Sequence, residues 1–257
     1  MSWGSRRKTL YGIVIGFFVL LAFSVLMFRI FYHTPTCFDG IKNSTESGID
    51  CGGLCAKVCY GIARKPVVNW AQSFRTSSNT VTAVAYIKNT NAGELTGSYG
   101  AHYFFRLYDK NNLLIVERSG IIDIPPQNTV PVIEPNVVVG NREVAHTFFD
   151  FSVDPTWIKI AEDAQPSLHV KIQSLSSDGT RLSATVVNSG LYDVRNLTLV
   201  ATLFDVDGEA IAASKSLVPI ISANGSQSVV FTWSQSSKPV RAEIIPLPAL
   251  PAQTTGV

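Results

Sequence analysis

The four cysteines of this chain fall within 23 residues, at Cys37, Cys51, Cys55 and Cys59. Three chemistries draw on thiols packed this closely: a metal–thiolate centre, a redox pair, or a disulfide-stapled loop. The spacing is C-x13-C-x3-C-x3-C. Structural zinc sites favour C-x2-4-C pairs at both ends, and here Cys37 stands far from the other three. A redox centre needs a thiolate of depressed pKa. In an oxidising compartment such cysteines pair instead, and four of them allow three connectivities. The sequence does not choose among these. Between the cysteines lie Asp39, Asn43, Glu46 and Asp50, with Gly40, Gly48, Gly52 and Gly53. Oxygen ligands on a sharply turning loop suit calcium. The same residue types also cap turns, and no D-x-[DN]-x-[DN]-G calcium loop is present.

Which chemistry applies depends on the compartment, and the N-terminal segment speaks to that. Leu10 to Phe28 is a run of 19 uncharged, mostly apolar residues. As a helix it spans about 28 Å, close to the ~30 Å hydrocarbon core of a bilayer. It is longer than a signal-peptide h-region, and no A-x-A-like cleavage site follows it. The expectation is an uncleaved signal-anchor helix over residues 9–32, whose partner is the lipid bilayer. Arg6, Arg7 and Lys8 precede the span. The positive-inside rule then puts a short stub, residues 1–8, in the cytoplasm and the remainder outside. Gly12 and Gly16 form a G-x-x-x-G within the span, which permits close helix contact. Four of the 21 basic residues lie before residue 33, whereas all 19 acidic residues lie after it, so the outer part carries a net charge of −2. No basic field is available for nucleic acid.

The run from Asp39 to Cys55, DG-x-x-N-x-x-E-x-x-x-D-C-G-G-x-C, resembles a small Cys-rich motif of surface and secreted proteins. The matching positions are Cys37, Asp39, Gly40, Asn43, Glu46, Asp50, Cys51, Gly52, Gly53, Cys55 and Cys59. That family more often ends C-x-x-C, whereas this chain has three residues between Cys55 and Cys59. The resemblance implies an extracytoplasmic disulfide-rich knob over residues 33–62 and names no activity.

Beyond residue 62 short apolar runs rich in β-branched and aromatic residues alternate with Asn, Gly, Asp and Ser, which is a strand-and-turn texture. Strands are expected at 79–89, 101–109 and 113–117. The same order returns at 180–188, 197–205 and from 209 onward. "FFRLYDKNNLLI" parallels "VATLFDVDGEAI", and a polar Asn/Gly loop follows the first strand of each copy. A later aromatic strand is read in both, at 145–151 and 228–233. The expected organisation is mainly β, with two Ig-like antiparallel β-sandwiches at 63–163 and 164–248 and a Pro-rich flexible tail at 249–257. Phe105 to Asp109 (FRLYD) resembles the FxLYD-type β-sandwich domains of prokaryotic surface proteins, and Leu203, Phe204 and Asp205 keep part of that ending. This resemblance implies an Ig-like fold and no catalytic residues.

No constellation points to catalysis. H-E-x-x-H, G-x-S-x-G, P-loop and G-x-G-x-x-G patterns are all missing. His33 falls at the membrane face, His102 and His146 in strands, and His169 alone at the start of the second copy. Asp109 and Asp205 occupy equivalent positions as turn starters, and Asp150 and Asp154 flank a loop. N-x-[ST] sequons stand at Asn43, Asn196 and Asn224. The sequence therefore points to a single-pass, membrane-anchored, non-enzymatic extracytoplasmic protein. It would bind or scaffold an envelope protein or polysaccharide. The alternatives are an accessory subunit of a membrane secretion or transport assembly, and a cysteine-based envelope redox enzyme.

Overall fold

The computed structural model describes residues 3–32, 35–162, 165–233 and 238–250. His33, the expected boundary at 163/164 and the tail from 251 lie outside the described residues.

Helix α1 runs from Trp3 to Phe31. Within it Leu10–Phe31 is long and apolar enough to cross a membrane. Large apolar side chains along it, among them Leu10, Phe17, Leu20, Phe23 and Ile30, are exposed, and none in the apolar stretch is buried. A 22-residue apolar helix with no protein core against it is a solute for lipid rather than water, and its length of about 33 Å matches the bilayer interior.

The β-rich part begins with β1 (Val67–Arg75), β2 (Thr80–Lys88), β3 (Thr96–Tyr108), β4 (Leu114–Ile124), β5 (Thr129–Val138), β6 (His146–Phe151) and β7 (Trp157–Lys159). It continues with β8 (Leu168–Leu175), β9 (Arg181–Asn188), β10 (Val194–Phe204), β11 (Ala210–Ile221), β12 (Ser226–Thr232) and β13 (Arg241–Leu247). The first set forms sheets ordered β1-β2-β5 and β4-β3-β6, with β7 pairing β3. The second forms β8-β9-β12 and β11-β10-β13. Adding seven to each strand number of the first pair gives the second. Every strand pair is antiparallel.

That correspondence corrects one part of the sequence reading. The aromatic strand at 145–151 is β6, whereas 228–233 covers β12, which is the counterpart of β5 rather than of β6. Aromatic content marks a strand that packs on a core. It does not say which one.

Each pair of sheets closes over its own core. Val81, Ala83, Ala85 and Ile87 of β2 meet Tyr103, Phe105 and Leu107 of β3 and Phe149 of β6 in the first. Leu182, Ala184 and Val186 of β9 meet Leu197, Leu199 and Ala201 of β10 and Phe231 of β12 in the second. The opposite faces of β2 and β10 are also covered. Val84, Tyr86, Ile133, Val200 and Ala213 form a third buried cluster, with Trp70, Phe74, Ile245 and Leu247 at its margin. Sheet β1-β2-β5 thus packs on sheet β11-β10-β13, giving four stacked layers. Burial on both faces explains why TVTAVAYIK of β2 is apolar almost throughout instead of alternating. Tyr86 stacks on Trp70 at 4.3 Å and donates a 2.7 Å hydrogen bond to Thr202 Oγ1 across the joint.

Equivalent polar residues lock the two copies. Asn89, buried at the end of β2, donates to the carbonyls of Thr96 and Pro125 and accepts from the Asn91 N–H. Asn188, at the end of β9, donates to those of Tyr192, Ile221 and Ser222 and accepts from the Gly190 N–H. Buried loop carbonyls need donors, and one amide side chain supplies them in each copy.

Candidate functional site

The cysteine loop was the sequence's main candidate for chemistry. Cys37 pairs with Cys55, and Cys51 and Cys59 are disulfide-bonded as well, so no cysteine is a free thiol. Taken in chain order, first pairs with third and second with fourth. A cystine sulfur has no proton or negative charge to offer, so neither a thiolate metal centre nor a low-pKa nucleophile exists in this state.

The oxygen-bearing residues of the loop are engaged with the loop's own backbone. Asp39 Oδ1 accepts from the Ile41 N–H, and its Oδ2 accepts from the Thr36 N–H and from Asn43 Nδ2. Asp50, in the left-handed region at φ 52°, accepts the Gly40 N–H on both carboxylate oxygens. Glu46 is buried and accepts the Asn43 N–H on Oε2. Its Oε1 lies 3.3 Å from the Cys55 sulfur, a contact and not a hydrogen bond, since that sulfur is in a disulfide. Asn43 Oδ1 is buried without a partner. Among the described residues the His, Cys, Asp and Glu ligand atoms that come within 4.8 Å of one another as a group of three or more are those of Cys37, Glu46 and Cys55. Asp39 and Asp50 are not in that group.

The glycines complete the loop. Gly53 has φ +58°, and a Cβ there would collide with the Thr45 carbonyl. Gly52, at φ +76°, would press its Cβ against Ser47. Each matched position of the DG-x-x-N-x-x-E-x-x-x-D-C-G-G-x-C run therefore has a folding role: side chains that cap, backbones that turn, and cystines that substitute for a core.

The chain then fastens onto the first sandwich. The Val58 N–H donates to the Trp157 carbonyl, and the Lys159 N–H donates to that of Ala56. Asn91 accepts from the Arg64 N–H and donates to its carbonyl. Beside this segment is a cleft of about 310 Å³ lined by Tyr60, Lys65, Asp154 and Trp157. Tyr60 donates to Asp154 Oδ2 at 3.0 Å, and Lys65 Nζ lies 3.0 Å from the same oxygen. The hydrogen bond from Lys65, then that from Tyr60, holds the Asp154 carboxyl below its ordinary range, and Lys65 is raised in return. These groups satisfy one another in an exposed ion pair, an arrangement that stabilises little and activates nothing.

A larger groove of about 690 Å³ opens at the joint between the sandwiches. Phe74 and Trp233 supply aromatic surface, Thr80 and Asn136 polar groups, and Arg75 and Lys215 positive charge. Trp233 Nε1 is buried without a partner. Arg75 gives its guanidinium to the carbonyls of Ser78 and Arg142, while Lys215 is exposed on the groove wall. Sequence reasoning missed this groove because its walls come from strands and turns of both copies, and only their packing makes it.

The remaining candidates from the sequence are dispersed. His102, His146 and His169 are exposed. Asp109 Oδ1 accepts the N–H groups of Asn111 and Leu113, and Asp205 Oδ1 accepts those of Asp207 and Glu209. Both are turn starters, as their matched positions imply. Asp150 accepts from the Phe151 N–H.

No known family model matches the chain, and no curated protein matches it. The two resemblances read from the sequence therefore rest on their quoted residues alone. Among solved structures the chain is similar to a β-glucuronidase of Bacteroides uniformis at 15% identity and a TM-score of 0.20, covering 63% of this chain and 22% of that one. A β-glucuronidase 2 of the same organism, covalently bound to cyclophellitol-6-carboxylate aziridine, gives 14% and 0.18, over 63% and 22%. A calcium-binding mutant of that enzyme gives 15% and 0.20, over 65% and 24%. The chain thus spans under a quarter of the length of these structures. Likeness this slight informs neither the fold nor the chemistry of the chain.

Proposed function

We propose that this chain is a non-enzymatic, single-pass extracytoplasmic protein that binds or scaffolds a component of the cell envelope. The anchor fixes its orientation, with the N-terminus in the cytoplasm as the basic residues before the span require. The disulfides belong to an oxidising compartment and stiffen the stretch after the membrane. The Cys37–Cys55 bridge closes a loop of 18 residues' separation, worth about 3 kcal/mol in unfolded-state entropy.

The observation that carries the reading is the third buried cluster. Two sandwiches joined only by a linker would rotate freely, and a groove between them would have no fixed shape. Here the shared core around Tyr86 and Val200 holds both sheets and preserves the groove. A preformed groove with aromatic, hydroxyl and cationic groups suits a polar partner, protein or polysaccharide. Placing a photo-crosslinking residue at Lys215, in cells that make the protein, tests this. A binder gives an adduct at Lys215, discrete for a protein and diffuse for a glycan, and none at the remote exposed Leu191. Equal or absent crosslinking at both positions would leave the body a spacer without a groove partner.

A further inference from the structure

We propose that the cysteine loop rests on the bilayer surface, with Phe38, Ile41, Ile49 and Leu54 immersed at the lipid headgroup boundary. The proposal rests on the anchored reading of α1. Its starting point is an inversion of normal burial. The four side chains are 77%, 53%, 61% and 87% exposed. Within the loop, from 37 to 55, the buried residues are Glu46, Cys51, Gly52 and Cys55. The cystines occupy the centre, so bulky apolar groups have no interior to enter and point outward. Four of them on so short a loop would be costly to keep in water.

What covers them follows from chain continuity with the span. The helix ends at Phe31 and the first bridged cysteine is Cys37. Five residues beyond Tyr32 reach at most about 17 Å even when fully extended. The headgroup zone on one side of a bilayer is about 5–8 Å thick, so the loop starts at most about 12 Å above it and within reach of it. The loop's charge argues for lipid contact through apolar groups rather than charge attraction. Asp39, Glu46 and Asp50 outnumber Lys42, and each carboxylate accepts a bond from within the loop. Immersion would thus need no anionic lipid, which would weaken it, unlike that of a polybasic segment.

The test is hydroxyl-radical footprinting of the full chain in phosphatidylcholine nanodiscs, one copy per disc, read residue by residue by mass spectrometry. Like residues on the β body serve as references. Leu191 is 79% exposed against 87% for Leu54, and Ile121 is 62% exposed against 61% for Ile49. The expected result is several-fold less oxidation at Leu54 than at Leu191 and at Ile49 than at Ile121, with Leu10–Phe28 protected in the same sample. Oxidation of Leu54 and Ile49 equal to their references, with the span still protected, would overturn the proposal and leave the anchor standing. Oxidation of the span itself would overturn the anchor. The single copy per disc removes a second molecule as the source of protection.

Discussion

The apolar joint between the sandwiches contains a buried hydrogen bond whose energetics can be worked out in advance. Tyr86 and Thr202 are both buried, and the phenol donates to the threonine hydroxyl at 2.7 Å. Tyr86→Phe deletes the donor without changing the ring that stacks on Trp70. It strands the Thr202 hydroxyl in an apolar joint, at a cost of about 2 kcal/mol. Thr202→Val keeps the shape and strands the phenol. Glu243 is close enough to contribute to raising the Tyr86 pKa and offers the phenol an alternative partner, so this cost is smaller, about 1 kcal/mol. With both groups replaced nothing polar is stranded, and the double variant should lose only about 0.5 kcal/mol. The single costs then exceed the double by about 2.5 kcal/mol, a clear coupling. Urea unfolding of the protein after its anchor, followed by tryptophan fluorescence and circular dichroism together, measures all three. One shared transition is expected from both probes. Additive costs, or single variants indistinguishable from the parent, would refute the buried joint and with it the fixed groove.

Other outcomes follow from the same structure. Burial raises the Tyr86 and Tyr103 pKa values, helped for Tyr103 by Glu134. A phenol with a folded pKa above the unfolded value of ~10 adds stability that is complete below pH 10 and lost as pH rises above it. Tyrosinate absorbance, compared between the parent and Tyr86→Phe or Tyr103→Phe, should therefore show these two phenols titrating only as the protein unfolds; ionisation of either in the folded state at about pH 10 would contradict its burial. Replacing Asn188 by Ala takes a donor from three carbonyls, of which that of Ser222 keeps the Gly225 N–H, and should cost about 2 kcal/mol in urea unfolding, with Asn89→Ala of similar size. A loss below about 0.5 kcal/mol, the range of ordinary surface changes, would count against these corners. The loop carboxylates are read as caps, so calcium or a chelator should leave hydrogen exchange at 37–55 unchanged. Marked slowing by calcium alone would instead assign an ion to Asp39, Asn43, Glu46 and Asp50.

Much of this architecture was legible in the sequence because its signals are local. The apolar run of α1, the turn starters Asp109 and Asp205, and the central strands β2, β3, β9 and β10 stand out where expected, within a few residues. The strands missed were β1, β5, β8 and β13, all at sheet edges, and the three-residue β7, which pairs with β3 alone. Edge strands are half exposed, so their apolar pattern is diluted, and they tolerate proline: Pro131 and Pro135 in β5 and Pro246 in β13 read as punctuation rather than as strand. Disulfide connectivity could not be read, since it depends on how Gly52 and Gly53 turn the loop. The groove and the third core were invisible for a different reason. Both arise where two repeats meet, and no segment of either repeat encodes that meeting alone.

The central claim is a β body held outside the membrane by one helix and an oxidised loop. The direct measurement treats sealed cells that make the protein with an external protease and a membrane-impermeant maleimide, followed by intact-mass analysis. The account predicts release of the β body from the outside, no maleimide adduct before reduction, and four after it. A body that resists the protease until the cells are broken, with cysteines that label without reduction, would contradict it.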